Sequence, residues 1–328
     1  MDPYQELTLY QRSAALMAAA KLGLFAALAK GPATPQEVAA SVSAPADSLS
    51  RLLSALAALN YVSRDGERFA LNDFSQAFVR DGAGGMVRLA WKEHLFSTAW
   101  SRLAEAVSSG NALFPSYADR LTNDFESVKK FLLALNDLAQ LAAPGVIATQ
   151  AFEGAGTILD LGGGGGGYAV ALASALPSAK VTLADLEPVL PIAKEYLEGK
   201  GIGDRVELAP AGFSKDGCGL GGRTFDCVFL SHILHDFDAP TASAIVSRAA
   251  RLVRPGGKLV ILDVLVPEDG HSNAVEALFD LMMLVEVPRG RTHPVADVLQ
   301  WIDAAGLGSL MMHKLYFGIL IEATAPAR

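Results

Sequence analysis

Residues 158–170, with the sequence ILDLGGGGGGYAV, constrain the fold more than any other segment of the chain. An apolar run contains the acid Asp160, and glycine then occupies all six positions from 162 to 167. Because glycine lacks a Cβ, such a loop lets a ligand approach the backbone closely. The glycines alone leave three kinds of ligand open, namely a dinucleotide, a phosphate, or another nucleoside-bearing cofactor.

The chain from residue 157 onward alternates predicted strands with predicted helices. The strands are TILDL, KVTLAD, RVELAP, FDCVFLSHIL and KLVILDVLV, and the last segment, MMHKLYFGILIEATA, predicts a closing hairpin. Such alternation is typical of a parallel sheet covered by helices. We therefore expect an α/β fold with a doubly wound sheet in residues 151–328.

The N-terminal part predicts a different, mostly α-helical domain. Apolar residues recur at helical spacing over residues 7–28, and Thr34, Pro35 and Glu37 are typical of a capped helix start. A second helix is expected over 45–59, followed by a hairpin with an Asp-Gly turn in YVSRDGERFAL. Helix, turn, helix and hairpin form a winged-helix pattern. We expect this domain to cover 1–95, with a helical linker contributing to a substrate pocket over 96–150.

Composition excludes several classes of function. The net charge of −8 argues against a nonspecific polyanion binder, so no nucleic-acid partner is expected. Two cysteines without a second pair argue against a zinc site or a disulfide framework. The N-terminus lacks a signal-peptide pattern, and no uninterrupted apolar stretch reaches the roughly 18–20 residues that span a bilayer. We expect a cytoplasmic protein without a membrane partner.

The residues around the glycines narrow the choice of ligand. Gly162, Gly164 and Gly167 match G-x-G-x-x-G, and Asp185 ends the next strand, as in a dinucleotide fingerprint. No Gly-Lys-Ser/Thr follows, which excludes a phosphate-binding P-loop. A carboxylate at Asp160 would repel a pyrophosphate but could organise an ammonium group. Some 150 preceding residues of mostly helical material and the Pro-Gly-Gly turn in ARLVRPGGKLVILD also disfavour a nicotinamide dinucleotide.

Five segments in this order carry a family resemblance: LDLGGGGGG, LADLEP, LSHILHDFD, RLVRPGGKLVILD and GRTHPVADVLQWIDAAGL. Together they resemble the S-adenosylmethionine-dependent O-methyltransferases of plant caffeate-type and bacterial natural-product pathways. The resemblance implies an N-terminal winged-helix dimerisation domain, a homodimer, and S-adenosylmethionine as cofactor, with S-adenosylhomocysteine as product. The implied cofactor-binding residues are Asp160, Gly162, Gly163, Gly164, Asp185, Leu186, Gly212, Phe213 and Ser231.

The same resemblance assigns the chemistry of methyl transfer to a hydroxyl of a small aromatic or polyketide-like acceptor. His235 of LHDF matches the family's general base, and Asp263 matches the acid behind it, although the family usually has Glu there. A carboxylate fixes the tautomer of such an imidazole and stabilises the imidazolium. No chemistry is assigned to Asp236. Candidates for the acceptor wall are Trp91, Phe96, Met282 and Met283, together with Phe279 and Trp100.

Three positions depart from the family pattern. Gly212 replaces the acid that usually contacts adenine, and Ser231 replaces a common lysine. Gly290 stands where the family has a second acid beside the histidine, for which Glu286 could substitute if the loop bends that way. The missing acid keeps an alternative open, in which the enzyme methylates N or C or catalyses a decarboxylation, hydroxylation or rearrangement.

Two further alternatives are disfavoured. A DNA-binding regulator needs several phosphate contacts from Lys and Arg, yet the candidate recognition helix PADSLSRLLSALAALN carries only Arg51. A metal site on His232, His235 and Asp236 would require a turn, since residues three apart on a strand face opposite sides. We expect no bound metal.

Overall fold

The computed structural model describes residues 2–79, 85–213, 216–267 and 274–327. The chain divides into two compact units, Met1–Thr98 and Ala99–Arg328. The segment predicted as a linker, 96–150, therefore falls almost entirely within the second unit, together with the sheet.

The first unit contains helices and one small hairpin. Its elements are α1 (Pro3–Thr8), α2 (Tyr10–Lys21), α3 (Leu24–Leu28), α4 (Pro35–Val42), α5 (Ala46–Ala58), β1 (Ser63–Asp65), β2 (Arg68–Ala70) and α6 (Met86–Trp100), whose last residues enter the second unit. Thr34 and Glu37 form the predicted capping box at the start of α4. The predicted winged-helix pattern is present in α4, α5 and the antiparallel pair β1–β2. The segment with helical spacing, 7–28, forms the end of α1 and all of α2 and α3, and Gly23 adopts φ +74° between α2 and α3.

The second unit alternates helices and strands as predicted. Its elements are α7 (Leu103–Ser109), α8 (Tyr117–Asn123), α9 (Phe125–Ala148), β3 (Thr157–Leu161), α10 (Gly167–Ala175), β4 (Lys180–Asp185), α11 (Leu190–Gly199), β5 (Val206–Pro210), β6 (Phe225–Ser231), α12 (Ala239–Ala250), β7 (Val253–Asp263), β8 (Leu265–Val266), α13 (Ala274–Glu286), β9 (His293–Pro294), α14 (Val295–Ala304), β10 (Gly308–Leu315) and β11 (Gly318–Thr324).

Seven strands form one sheet in the order β10-β11-β7-β6-β3-β4-β5. Strands β3 to β7 pair in parallel, whereas β11 is antiparallel to both β7 and β10. The expected doubly wound sheet with a closing hairpin is therefore confirmed. The strand order reverses between β3 and β6, and ligands of such sheets bind in the crevice beyond the carboxyl ends at that point.

Strand β6 is shorter than the predicted segment FDCVFLSHIL. It ends at Ser231, and His232 then adopts φ +55°. The backbone amide of His232 donates to Leu262 O at 2.7 Å, and residues Leu234–Asp236 form a 3-10 turn. Because of this turn, His235 lies just beyond the strand end rather than on the strand, at the edge of the crevice.

Helix α9 is the one described helix that is long and apolar enough to cross a membrane by length and composition. Its apolar run is interrupted by Asn136, Asp137 and Gln140, so this helix does not contradict the expectation that no uninterrupted apolar stretch reaches roughly 18–20 residues. In the structure Asn136 and Asp137 of this helix are buried, and Ala139, Ala143 and Val146 pack into the core against α10 and the sheet. Buried polar side chains and this packing are typical of a core helix of a globular domain.

Candidate functional site

The glycine turn, residues 162–167, joins β3 to α10 at the carboxyl edge of the sheet. Gly162 has φ +79°, and a Cβ there would lie 2.5 Å from Ile233 Cδ1. Its amide donates to Ala184 O at 2.7 Å, and the amide of Gly164 donates to Asp185 Oδ2 at 2.7 Å. The turn is thus held against the ends of β4 and β6, where its backbone borders the crevice.

Asp160 lies beneath this turn and is fully buried. Neither carboxylate oxygen reaches a hydrogen-bond donor at normal geometry within the described residues. Burial raises the pKa of Asp160 to about 7, the charge of Asp185 adds to this rise, and the backbone amide of Ala169 opposes it. A buried carboxylate without a partner is costly, so a cationic group bound beside the turn would stabilise it.

Asp185 at the end of β4 already binds backbone amides. Its Oδ1 accepts from the amide of Leu186 at 2.6 Å, and its Oδ2 accepts from Gly164. Burial raises the pKa of Asp185, while these two hydrogen bonds counteract the rise. Each carboxylate oxygen keeps a further acceptor site, which fits the predicted contact with a ribose diol.

The remaining predicted cofactor residues lie around the same crevice. A Cβ at Gly212 would lie 3.7 Å from Leu186 Cδ2, and one at Gly162 would lie 3.2 Å from Phe213 Cζ. The Phe213 carbonyl accepts from Arg248 at 2.6 Å, which fixes this backbone. Ser231 is half-buried at the end of β6. These residues lie near one another beside the crevice, and the role of each in binding adenine stays a prediction.

Phe237, which was not among the predicted site residues, packs against Phe213. Its ring lies 6.0 Å from that of Phe213 at an angle of 77°.

The glycine turn is held from the other side by helix α9, which the sequence analysis did not assign to the site. Asn136 Nδ2 donates to Gly165 O at 2.8 Å, and its Oδ1 accepts from the amide of Gly167 at 3.0 Å. A Cβ at Gly165 would lie 2.7 Å from the Asn136 amide group. The polar pair Asn-Asp within the apolar run LLALNDLAQL was the available signal. The close approach of Asn136 explains why position 165, which the G-x-G-x-x-G pattern leaves free, is also glycine.

We expect Asn136→Ala to weaken S-adenosylmethionine binding about tenfold, because the turn loses two buried hydrogen bonds and gains conformational freedom. Isothermal calorimetry measures this loss. Leu141→Ala on the exposed face of α9 is the matched control and should leave the affinity unchanged. Equal affinities for Asn136→Ala and the wild type would contradict the assigned positioning role.

His235 and Asp263 form the closest contact between titratable groups at the crevice. His235 Nδ1 lies 2.5 Å from Asp263 Oδ1, and both residues are buried. Asp263 also accepts from the backbone amides of Leu234 at 2.9 Å and Val264 at 2.7 Å. The carboxylate therefore fixes both the imidazole and the turn that carries it. Nε2 is left as the ring nitrogen that can take a proton from an acceptor.

The electrostatic environment favours the protonated imidazole. Burial alone would lower the pKa of His235, but the Asp263 carboxylate, with smaller effects from Asp236 and Glu286, raises it above its ordinary value. For the carboxyl group of Asp263, burial acts in the opposite direction and would raise the pKa. The charge and hydrogen bond of His235 nevertheless hold the pKa of Asp263 below its usual range. The pair is thus built to stabilise an imidazolium, which is the state a general base reaches after accepting a proton.

The space around position 290 explains why this chain has glycine there. A Cβ at this position would lie 3.0 Å from His235 O and 2.7 Å from Val287 Cβ. The neighbouring amide of Arg291 donates to His235 O at 2.8 Å, which draws the segment against the base. The family's second acid therefore does not fit here without a shift, and the substitute considered in the sequence, Glu286, is buried at the end of α13.

The possible metal ligands that lie close together in the structure differ from the set considered in the sequence analysis. Ligand atoms of His232, His235 and Asp263 lie within 4.8 Å of one another, whereas Asp236 Oδ1 is 3.7 Å from His235 Nε2. The turn at His232 permits this convergence. Two ligand atoms on one tetrahedral Zn²⁺ are about 3.3 Å apart when the bond lengths are near 2.0 Å. His235 Nδ1 and Asp263 Oδ1 are only 2.5 Å apart, which is the distance of a hydrogen bond and too short for two ligands of one metal ion.

The predicted acceptor-wall residues fall into two groups. On α13, Phe279 lies edge-on to the His235 ring at 5.0 Å, Met282 is half-buried and Met283 is buried. Phe96 and Trp91 lie on α6 in the first unit, where the Lys92 ammonium is 4.6 Å from the Phe96 ring centroid. Roles of Trp91, Phe96, Met282 and Met283 in binding an acceptor stay predictions.

Comparison with known proteins places both parts of the chain in described families. An O-methyltransferase domain matches residues 100–307, and an O-methyltransferase dimerisation domain matches residues 5–81. The mitomycin biosynthesis 6-O-methyltransferase of Streptomyces lavendulae is 30% identical over 315 residues, covering 90% of this chain and 85% of that protein. The tetracenomycin polyketide synthesis 8-O-methyl transferase of Streptomyces glaucescens is 28% identical over 312 residues, covering 93% and 90%.

Among solved structures, human N-acetylserotonin methyltransferase in complex with S-adenosylmethionine has the same fold. The TM-score is 0.87 at 23% identity, covering 100% of this chain and 99% of that chain. The unpartnered Asp160, the acid at Asp185 and the glycine turn fit this phosphate-free cofactor. The protein is an enzyme that uses S-adenosylmethionine, and the chain belongs to the family of S-adenosylmethionine-dependent O-methyltransferases.

Proposed function

We propose that this enzyme methylates a hydroxyl group of a small aromatic or polyketide-like natural product, with His235 as general base. The contact of 2.5 Å between His235 Nδ1 and Asp263 Oδ1 at the crevice is the observation that carries the proposal. S-adenosylmethionine supplies a methyl group on an activated sulfonium. The two Streptomyces relatives take their names from O-methylation in mitomycin biosynthesis and tetracenomycin polyketide synthesis, which supports this acceptor class.

The residues of this chain would act by orientation and proton removal. Asp160, the glycine turn and Asp185 hold the cofactor at the ends of β3 and β4. His235 Nε2 accepts the hydroxyl proton, and Asp263 stabilises the resulting imidazolium through Nδ1. Phe279, edge-on to the imidazole, gives an aromatic acceptor an apolar surface beside the base. Glu286 supplies a second negative charge near the imidazolium in place of the acid absent at Gly290.

Incubation of the enzyme with labelled S-adenosylmethionine and a panel of phenols, naphthols and hydroxylated polycyclic aromatics tests the proposal. We expect a product heavier by one methyl group, formed in equal amount with S-adenosylhomocysteine. Matched acceptors in which hydrogen replaces the hydroxyl are the control. Transfer to those controls, or to amines but to no hydroxyl, would contradict O-methylation.

A second candidate function is methylation of an amine. An N,N-dimethyltransferase of Streptomyces rimosus is 28% identical over 271 residues, covering 80% of this chain. A neutral amine needs less help from a base than a phenol does. The buried ion pair of His235 and Asp263 is therefore the feature that favours the hydroxyl. A changed product mass without an added methyl would instead indicate a non-methylating reaction.

We also propose that the enzyme is a cytoplasmic homodimer that associates through its N-terminal domain. Large apolar side chains are exposed on the first two helices and the residue between them: Tyr4, Leu7, Leu9 and Tyr10. Contiguous exposed apolar residues are typical of an interface. The only basic residue of α5, Arg51, is paired with Asp47 at 2.9 Å, which disfavours a role for this helix in DNA binding. Sedimentation equilibrium would contradict the dimer if it gave the mass of one chain.

A further inference from the structure

The segment that follows β5 lies beside the predicted ribose contact at the end of β4. The two strands pair in parallel as far as Asp185 and Pro210, and the Ala211 amide then donates to Asp185 O at 2.8 Å. A Cβ at Gly212 would lie 3.7 Å from Leu186 Cδ2. If Asp185 holds the ribose, the purine attached to that ribose lies beside Leu186 and Gly212.

Large side chains at this end of the crevice are apolar. Leu186 is 38% exposed, so it offers apolar surface to a ligand. Phe213, Ile233 and Phe237 are half-buried and pack against the core of the second unit. Stacking of a base on an aromatic ring depends on its π-face and tolerates changes in its exocyclic groups. These side chains therefore favour a purine by its shape.

The backbone around position 212 already uses its carbonyl groups in hydrogen bonds within the protein. Cys218 O accepts from the Gly212 amide at 3.1 Å, and Phe213 O accepts from Arg248 Nη1 at 2.6 Å. The guanidinium of Arg248 also places a positive charge on this side, which disfavours the approach of a second donor. The 6-amino group of a purine is such a donor, and a glycine at 212 gives it no side-chain oxygen.

Neither the backbone nor the available space requires glycine at position 212. Gly212 is not among the residues with positive φ, and 3.7 Å to Leu186 Cδ2 is an ordinary van der Waals contact. Gly162 differs in both respects, since it has φ +79° and its Cβ would meet Ile233 at 2.5 Å. A polar side chain would fit at 212, so its absence bears on what the site recognises.

We propose that this enzyme binds the purine of its cofactor by apolar contact and stacking and does not recognise the 6-amino group, with Gly212 as the position that sets this tolerance. The ligands it accepts then include purine nucleoside analogues of the cofactor that lack the amino group. A site that makes no hydrogen bond to a group cannot strongly reject the analogue without it. The inference rests on the predicted ribose contact of Asp185 and is independent of the methyl acceptor.

Calorimetry with S-adenosylhomocysteine and its 6-deamino analogue, in which hydrogen replaces the amino group, tests the proposal. We expect the two Kd values of the wild type to agree within about threefold, because the amino group adds no net hydrogen bond to the protein. In Gly212→Asp the preference for S-adenosylhomocysteine should rise to at least about tenfold, because a carboxylate forms a charge-assisted hydrogen bond with the amino group. Gly212→Ala is the matched control, since it adds a methyl group without an oxygen, and it should keep the wild-type ratio.

Two results would overturn the proposal. A larger preference of the wild type for S-adenosylhomocysteine would mean that another group of the protein recognises the amine. An unchanged ratio in Gly212→Asp would mean that position 212 does not face the amino group. If Gly212→Asp does not fold, the comparison of the two ligands on the wild type still decides whether the amine is recognised. Both ligands bind without a methyl acceptor, so a failure of the proposed O-methylation leaves this test intact.

Discussion

His235→Ala is expected to lower the rate of methyl transfer by about 10²–10⁴-fold, because this is the usual contribution of a positioned general base. Cofactor affinity should be retained, since the glycine turn, Asp160 and Asp185 are separate from the imidazole. The variant should also fold, because Asp263 still accepts hydrogen bonds from the amides of Leu234 and Val264. Single-turnover kinetics with saturating cofactor and acceptor, together with calorimetry for cofactor binding, measure the two effects separately.

The pH dependence gives a second measurement on the same residue. Because the pKa of His235 is raised, its neutral, proton-accepting form becomes populated only above neutral pH. We expect kcat/KM of the wild type to increase with pH over that range, and the increase to be absent from the residual activity of His235→Ala. Full activity in the alanine variant, or the same pH limb in both proteins, would contradict the assignment of the base.

Asp160→Asn is expected to have opposite effects on stability and on cofactor binding. The amide removes a buried charge whose oxygens have no hydrogen-bond partner of normal geometry among the described residues, so the ligand-free protein should become more stable at pH 8 by on the order of 1–3 kcal/mol. The affinity for S-adenosylmethionine should fall about tenfold to a hundredfold, because the ammonium group of the cofactor loses its counter-charge. Thermal unfolding with and without cofactor, and calorimetry, measure both effects.

The size of the stability change depends on pH. Burial raises the folded-state pKa of Asp160 from 3.8 to about 7, so between these values the folded state holds a proton that the unfolded state has lost. The wild type therefore loses stability as pH rises through this window, and the advantage of Asp160→Asn should shrink from pH 8 to pH 4.

Asp226→Asn is the matched control for this prediction. The carboxylate of Asp226 on β6 accepts from the amides of Gly156 and Thr157, so its loss should destabilise the protein. Unchanged cofactor affinity in Asp160→Asn would contradict the role assigned to Asp160.

The central strands β3 and β4 were predictable because most of their residues are apolar and buried on both faces. TILDL is followed directly by Gly162 of the glycine turn, and KVTLAD ends at Asp185, whose carboxylate accepts from backbone amides. The limits of both strands agree with the prediction. FDCVFLSHIL carried no such end signal, since His232, Ile233 and Leu234 continue the apolar pattern. Its end is set by the φ of +55° at His232 and by the hydrogen bond to Leu262 O, which is a tertiary contact.

The site was only partly accessible from the sequence. Residues within recognisable segments, such as Asp160, Asp185 and His235, all lie at the carboxyl edge of the sheet. Asn136 was missed because it comes from a helix that precedes the sheet, and only the folded chain brings it to the glycine turn. Likewise, the glycine at 290 indicated a missing acid in the sequence, whereas in the structure a Cβ at this position would lie 2.7 Å from Val287 Cβ and 3.0 Å from His235 O, so a side chain requires a shift.

The turn that carries His235 is held mainly through its main chain. Its amides donate to Asp263, and its carbonyl accepts from Arg291. The conformation of this turn therefore depends little on which side chain is present at position 235. A single substitution there can exchange the reactive group while the surrounding geometry persists, which gives descendants of this enzyme a short evolutionary route to reactions other than alkylation.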